Sequence, residues 1–208
     1  MFGIQDFWTF LLAAVLLNLT PGQDSLYVIG RSLAQGRRAG YASALGISSG
    51  SLVHTLAAAF GLSALLVTSA TAFRVLTWLG AAYLVYLGLR LLLGREEGTQ
   101  PERPAGGSPW RLYRQGLLTN VLNVKVAVFF LALLPQFIDP ADADSPLPFL
   151  VLGCCFVCTG TLWCLALAWG ADRLGHGMLG TRRARRWLHR AAGSLFILLG
   201  ARLVLVRA

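Results

Sequence analysis

The chain has 208 residues, 56% of them hydrophobic and 13% charged, with a mean hydropathy of +0.63 and a formal net charge of +9. A soluble domain carries about 45–50% apolar and about 25% charged residues, and nine acids with eighteen bases are too few to coat a soluble fold of this length. The composition excludes a disordered chain, a collagen-like repeat and a disulfide scaffold. The bases cluster between apolar runs, as in cytoplasmic loops rather than on a groove-reading face, so no nucleic acid partner is expected.

A helix needs about 20 apolar residues to cross a hydrocarbon core of about 30 Å. Six stretches approach that length: 7–30, 41–69, 75–93, 115–134, 147–171 and 191–206. They predict an all-α, polytopic membrane protein of six transmembrane helices in a single domain over 1–208. Residues 1–6 hold no Lys or Arg and no Ala-x-Ala site follows, so the first run is expected to stay rather than be removed as a signal. That run is broken at Pro21-Gly22. Proline lacks an N–H and clashes with the carbonyl four residues back, and glycine adds backbone freedom. The break frees carbonyls around Leu17 and Asn18 and N–H groups around Gly22 to Asp24. In lipid such groups are tolerated only against protein or a wet cavity. The functional reading is a substrate site in which N–H groups hold a carboxylate and carbonyls hold an ammonium; the alternative is a kink stapled by Asn18 and Thr20.

Further along, brief links are expected at 31–40 and 70–74. The stretch 94–114 contains Pro101, Pro104, Gly106, Gly107 and Pro109, a flexible connection dividing repeat one (about 1–94) from repeat two (about 115–208) by a loop at 95–114. Three helices per half make the second half enter the membrane in the opposite sense. The cluster Asn120-Val-Leu-Asn123-Val124-Lys125 echoes Asn18-Leu-Thr-Pro21-Gly22, and paired interruptions of this kind point to inverted repeats with a site near the midplane. The first, third and fifth connections hold Arg31, Arg37 and Arg38, then Arg95, Arg103, Arg111 and Arg114, then Arg173 with Arg182 to Arg190, whereas the fourth holds Asp139, Asp142 and Asp144. The positive-inside rule therefore places the odd connections in the cytoplasm and both termini outside.

Asp24 and Lys125 are the acid and the lysine well inside these spans, each costing about 2.5–3.5 kcal/mol at a helix centre. They are expected to form a mutual ion pair. In the functional version Asp24 takes up a proton or binds a substrate amine and Lys125 attracts a carboxylate; in the structural version the pair pins helix 1 to helix 4. Helix 2 carries Gly46, Ser48, Ser49, Gly50 and Ser51, suited to close helix packing. His54, one turn on, is a packing residue or a proton relay. Cys154, Cys155, Cys158 and Cys164 open a second function class, a transmembrane thiol-redox or metal-ion handler, but read as small packing residues, and no metal is expected. Trp8, Trp110, Trp187, Tyr41 and Tyr113 fall near span ends as interfacial anchors; Tyr27, Tyr83 and Tyr86 lie deeper, as cavity-lining or packing residues. The segment 182–190 suits anionic lipid. No nucleotide, zinc-protease, hydrolase or dinucleotide motif is present, so neither an enzyme nor a cofactor is expected.

The runs Asn18-Leu-Thr-Pro21-Gly22-Gln-Asp24-Ser25, Gly30-Arg31-Ser-Leu-Ala-Gln-Gly36-Arg37-Arg38-Ala-Gly40, Gly80-Ala-Ala-Tyr83-Leu-Val-Tyr86-Leu-Gly88, Asn120-Val-Leu-Asn123-Val-Lys125 and Phe129-Phe-Leu-Ala-Leu-Leu-Pro135-Gln136-Phe137 resemble the LysE/RhtB family of bacterial amino-acid exporters over nearly the whole chain, most of all its homoserine/threonine/leucine branch. The resemblance implies export of a small or branched neutral amino acid across the bacterial inner membrane, with both termini periplasmic, by alternating access and in exchange for protons. The two interruptions and the charges beside them predict a central site of Asn18, Pro21, Gly22, Asp24, Asn120, Asn123 and Lys125, with Asp24 and His54 as candidate proton-coupling residues. Two positions depart from the family pattern. Gln23 replaces the second proline of Pro-Gly-Pro, and Val124 replaces the proline of Asn-Pro-Lys, so helix 4 is expected to be less broken than in relatives. The Gly- and Ala-rich faces suit contacts within one chain and in a homodimer alike.

Overall fold

Proline and glycine divide the first apolar stretch as their chemistry requires. Helix α1 (Phe7–Leu19) stops at Thr20, and α2 (Gln23–Gln35) starts after Gly22, each 13 residues long. These elements belong to a computed structural model that describes residues 3–62, 68–93, 107–174 and 182–207. The basic link expected at 31–40 shrinks to one residue: Gly36, at φ +82, turns the chain directly into α3 (Arg37–Ala57). That left-handed backbone strains any residue with a Cβ. A π-helical turn, Ala58–Leu62, extends α3. The link expected at 70–74 is helical instead, because those residues include no helix breaker, and α4 runs over Ala70–Leu92.

In the second half, α5 (Pro109–Val121) begins with Pro109 in its first turn and the Ser108 side chain accepting the Arg111 N–H. After two residues α6 (Val124–Val128) continues through a π turn at Phe129–Leu133 and a 3-10 turn at Leu134–Phe137. Then come a 3-10 turn at Pro140–Asp142, α7 (Pro146–Leu174) and α8 (Arg182–Arg207). The expected loop at 95–114 falls outside the described residues as far as 106, including Arg95, Pro101, Arg103, Pro104 and Gly106; so do the side chains of Arg173, Arg182, Arg183, Arg185 and Arg186.

The protein is an all-helical membrane protein. Arg37–Leu62 and Pro146–Ala171 are each long and apolar enough to cross a bilayer alone, and Pro109–Val121 with Val124–Phe137 makes a third span if its 49° bend lies within one crossing. Phe7–Leu19 and Trp78–Leu92 are shorter apolar helices. Between α1, the 129–137 segment and α7 lies a phenylalanine core, in which the Phe129 and Phe156 rings stand 4.8 Å apart and those of Phe10 and Phe137 5.4 Å. Elsewhere glycine allows backbones to touch. A Cβ on Gly88 would lie 2.6 Å from the Gly193 carbonyl, and one on Gly193 would lie 2.8 Å from the Gly88 carbonyl, so α4 and α8 close on bare backbone. Gly50 of α3 likewise faces Asn120 of α5, where a Cβ would come within 2.7 Å.

The residues before α1 are clipped to the connection after Phe137. The Gln5 N–H donates to the Phe137 carbonyl (2.8 Å), the Asp139 N–H to the Gly3 carbonyl (2.8 Å), and the Gln5 amide to Asp139 Oδ2 (2.7 Å). At the other end of the bent α5–α6 segment, the Gly107 N–H donates to Gln35 Oε1 at the end of α2 (3.0 Å).

Candidate functional site

Pro21 has no N–H to give the carbonyl four residues back, so Leu17 O is left without a helical donor. The Lys125 ammonium takes its place, donating to Leu17 O and to Thr20 O, each at 3.3 Å. A Cβ on Gly22 would stand 3.1 Å from Lys125 Nζ, so the lysine reaches these carbonyls past bare backbone. Lys125 is the second residue of α6, an end where the helix dipole disfavours a cation; turned back, its ammonium meets the carbonyl end of α1, where the dipole favours one. The Thr20 hydroxyl meanwhile donates to Leu16 O at 2.6 Å, stapling the last turn of α1.

Asp24 is the second residue of α2, at the dipole end that favours a carboxylate. Its Oδ2 accepts from Asn120 Nδ2 at 2.9 Å and from Asn123 Nδ2 at 3.0 Å, while Oδ1 is buried and accepts no protein hydrogen bond. Asn123 also breaks the helix. It sits extended at φ −77, ψ 101, and its Oδ1 accepts the Lys125 N–H at 3.1 Å, which caps α6. Helix 4 is thus broken with Val124 in place of the family's proline: the segment bends by 49°, with an asparagine cap at the break. The mutual ion pair is corrected too. Asp24 is held by two amides of α5 and the interhelical turn, Lys125 by two carbonyls of α1, and the charges meet across a shared cavity rather than in contact.

That cavity is small, with a volume of about 20 Å³. Asn18, Asp24, Asn120 and Lys125 line it; Pro21, Gly22 and Asn123 do not. Asn18 donates to Thr159 Oγ1 (3.0 Å) and Phe156 O (3.4 Å), tying α1 to α7. Ser51 donates to Asn120 Oδ1 at 3.2 Å, so three helices fix the amide that holds Asp24. His54 stands off the cavity. Its Nε2 meets the Asn120 carbonyl at 3.1 Å, and since that oxygen accepts only, Nε2 carries the hydrogen; its ring stacks on Phe130.

Ser48, expected only as a packing residue, and α7 residues not expected at the site complete the wall. Ser48 and Thr161 hydroxyls meet at 2.7 Å across α3 and α7, and Phe156, Val157, Gly160 and Trp163 supply the α7 side. Apart from Gly160, this face of α7 carries no breaker and no charge, so nothing in its letters singled out Phe156, Val157, Thr161 or Trp163. A turn beyond Asp24, the Tyr27 hydroxyl donates to Leu112 O (2.8 Å) and Arg31 Nη2 donates to Gln115 Oε1 (2.8 Å), with the guanidinium 5.4 Å over the Tyr27 ring. This latch joins α2 to α5. None of the three deeper tyrosines lines the cavity, and Tyr83 and Tyr86 pack together at 5.9 Å with Tyr86 exposed. The cysteines are free thiols, Cys154 and Cys158 exposed and Cys164 buried, and among the described residues no three His, Cys, Asp or Glu gather as a metal site.

Apolar helices broken at two places, with opposite charges facing one closed chamber, are the construction of a membrane carrier. The chain belongs to the LysE type translocator family, whose profile matches residues 15–207, and it is a transporter, not an enzyme. It is 34% identical over 206 residues to an uncharacterised membrane protein of Pseudomonas aeruginosa, covering 97% of this chain and 95% of that one. It is 32% identical over 213 residues to the homoserine/homoserine lactone efflux protein of Salmonella typhimurium, covering 97% and 98%. An uncharacterised membrane protein of Vibrio cholerae is 37% identical over 150 residues, 72% of this chain and 73% of that one. No solved structure matches the chain.

Proposed function

We propose that this protein exports a small or branched neutral amino acid, of the homoserine, threonine or leucine type, from the cytoplasm across the bacterial inner membrane in exchange for protons. The observation that carries the reading is the single chamber faced by an Asp24 carboxylate and a Lys125 ammonium, the complement of a zwitterion. The efflux relatives in Salmonella support the substrate class. In this reading Asn18, Asp24, Asn120 and Lys125 bind the amino-acid backbone, and Pro21, Gly22 and Asn123 hold the two breaks open. Asp24 carries the proton, with His54 coupled to it through Asn120.

The six-span architecture of two inverted repeats in one domain is part of the proposal. It is supported by register: Asp24 and Lys125 are each the second residue after a break, and each follows a first half-helix of 13 residues. The clip between Gln5 and the Phe137–Asp139 segment fits an even number of crossings between them, as four spans require. Basic odd connections support periplasmic termini.

Purified protein in liposomes, loaded with labelled amino acid and given a pH gradient, tests the reading. Homoserine-type substrates are expected to exchange, and Asp24→Asn to lower transport about tenfold or more, as loss of a charged hydrogen-bonding partner worth about 1.5–3 kcal/mol implies. Uphill transport that continues unchanged without a proton gradient removes the antiport. A panel of amino acids of which none exchanges removes the export reading.

A further inference from the structure

Several of the chamber's hydroxyl and amide hydrogens are used within the protein, while the Ser25 hydroxyl on its wall is not. The Ser48 hydroxyl hydrogen goes to Ala44 O (2.9 Å), that of Ser51 to Asn120 Oδ1 (3.2 Å), and that of Thr161 to Val157 O or Ser48 Oγ (both 2.7 Å). The Asn18 Nδ2 hydrogens go to α7, leaving its Oδ1 as an acceptor. Two buried polar atoms on the lining residues have no protein partner: Asp24 Oδ1, an acceptor, and Trp163 Nε1, a donor. Lys125, with two of its three ammonium hydrogens on α1 carbonyls, keeps a third. An amino acid has a group for each charge, its ammonium for Asp24 Oδ1 and its carboxylate for Lys125. The indole N–H is a further unpartnered donor, and it belongs to an aromatic ring bedded against the cluster of Val28, Ile47, Cys164 and Leu167.

We propose that Trp163 reads the substrate's side chain, its indole N–H donating to an uncharged oxygen there. This rests on the amino-acid export reading above. An uncharged oxygen fits because a charged group beside this apolar cluster would lose its hydration without gaining a counter-charge. A purely aliphatic side chain leaves the indole N–H unpaired, and a site built to bond an oxygen discriminates against the analogue lacking it.

Two substrates separate the possibilities: homoserine and 2-aminobutyrate, which is the same molecule without its hydroxyl. In liposomes the wild-type protein is expected to prefer homoserine by about five- to tenfold in KM, the worth of one hydrogen bond. O-methylhomoserine, which keeps an acceptor oxygen and loses the donor, is expected to retain the preference. Trp163→Phe is expected to abolish it by weakening homoserine more than 2-aminobutyrate, and the 2-aminobutyrate transport that remains shows that the variant folds. Equal loss on both substrates, or a preference that survives the substitution, overturns the proposal. If Trp163→Phe does not reach the membrane, wild type decides: no preference for homoserine and its O-methyl ether over 2-aminobutyrate overturns the proposal with export intact. Transport of none of the three sinks the export reading itself, and this inference with it.

Discussion

Asn123 carries two tasks on one amide, since its oxygen caps α6 and its nitrogen holds Asp24. Removing it leaves the carboxylate with one amide donor and the helix without its cap. Asn123→Ala is therefore expected to cost about 1 kcal/mol for the cap, with a further loss for the bond to a charged group. That corresponds to a melting temperature lower by about 2–4 °C per kcal/mol for a chain of this size, read in detergent, together with weakened transport. An unchanged melting temperature would mean the cap is dispensable. At this scale the sequence made the charged residues legible, because an acid and a lysine inside apolar runs demand an explanation. It misled about their partners. The ammonium is held by the carbonyls of Leu17 and Thr20, and backbone oxygens have no letter in a sequence; only the absence of an N–H at Pro21 hinted at one of them.

The two broken helices reach the same form by different chemistry. In α1–α2 the break follows from a missing donor at Pro21; in α5–α6 it follows from an extra acceptor on Asn123. Val124 is the first residue of α6, its side chain 57% exposed, and Asn123 before it is already extended at ψ 101. Those are the conditions proline favours in itself and imposes on its neighbour. Val124→Pro is expected to be tolerated and to stabilise the protein by about 0.4–1 kcal/mol, checked by thermal unfolding and by retained exchange. A marked fall in stability would show that the Val124 N–H or its exposed side chain matters in a way the backbone geometry does not reveal. Breaks that rest on proline were readable from sequence, whereas a cap depends on where an asparagine points. The same holds for the wall supplied by α7, where Trp163 and Thr161 look like any residues of an apolar span until the neighbouring helices are in place.

Seen whole, the molecule is tied at both ends of its bent helices. At the Gln5–Asp139 clip, the Ala141 N–H and then the Gln5 amide hold the Asp139 carboxyl below its ordinary value of 3.8. A depressed value means the ionised form is favoured by folding. The contribution is thus complete above the unfolded value of 3.8 and disappears as the pH falls through the lower folded value. The stability gap between wild type and Asp139→Ala, followed by thermal unfolding in detergent, is expected to stay constant at neutral pH and to narrow below pH 3.8. A gap unaffected by acid would mean the bonds do not depend on the charge. The length and apolarity of the stretches made the helical membrane class legible, but one-residue turns such as Gly36 and contacts such as Gln5 with Asp139 come from three-dimensional closure that composition does not encode.

The chamber's volume of about 20 Å³ has a kinetic meaning. A compartment this small does not admit an amino acid as it stands, so cargo must wait for another conformer, and its measured affinity is its true affinity diluted by how rarely that conformer occurs. Whatever favours the shut form makes the carrier look weaker without altering one contact to its load. Tyr27, Arg31 and Gln115 stand outside the chamber and hold α2 against α5. Gln115→Ala is thus expected to lower the apparent KM for every substrate by a common factor, and a factor that varied from one amino acid to the next would mean the latch touches the load after all.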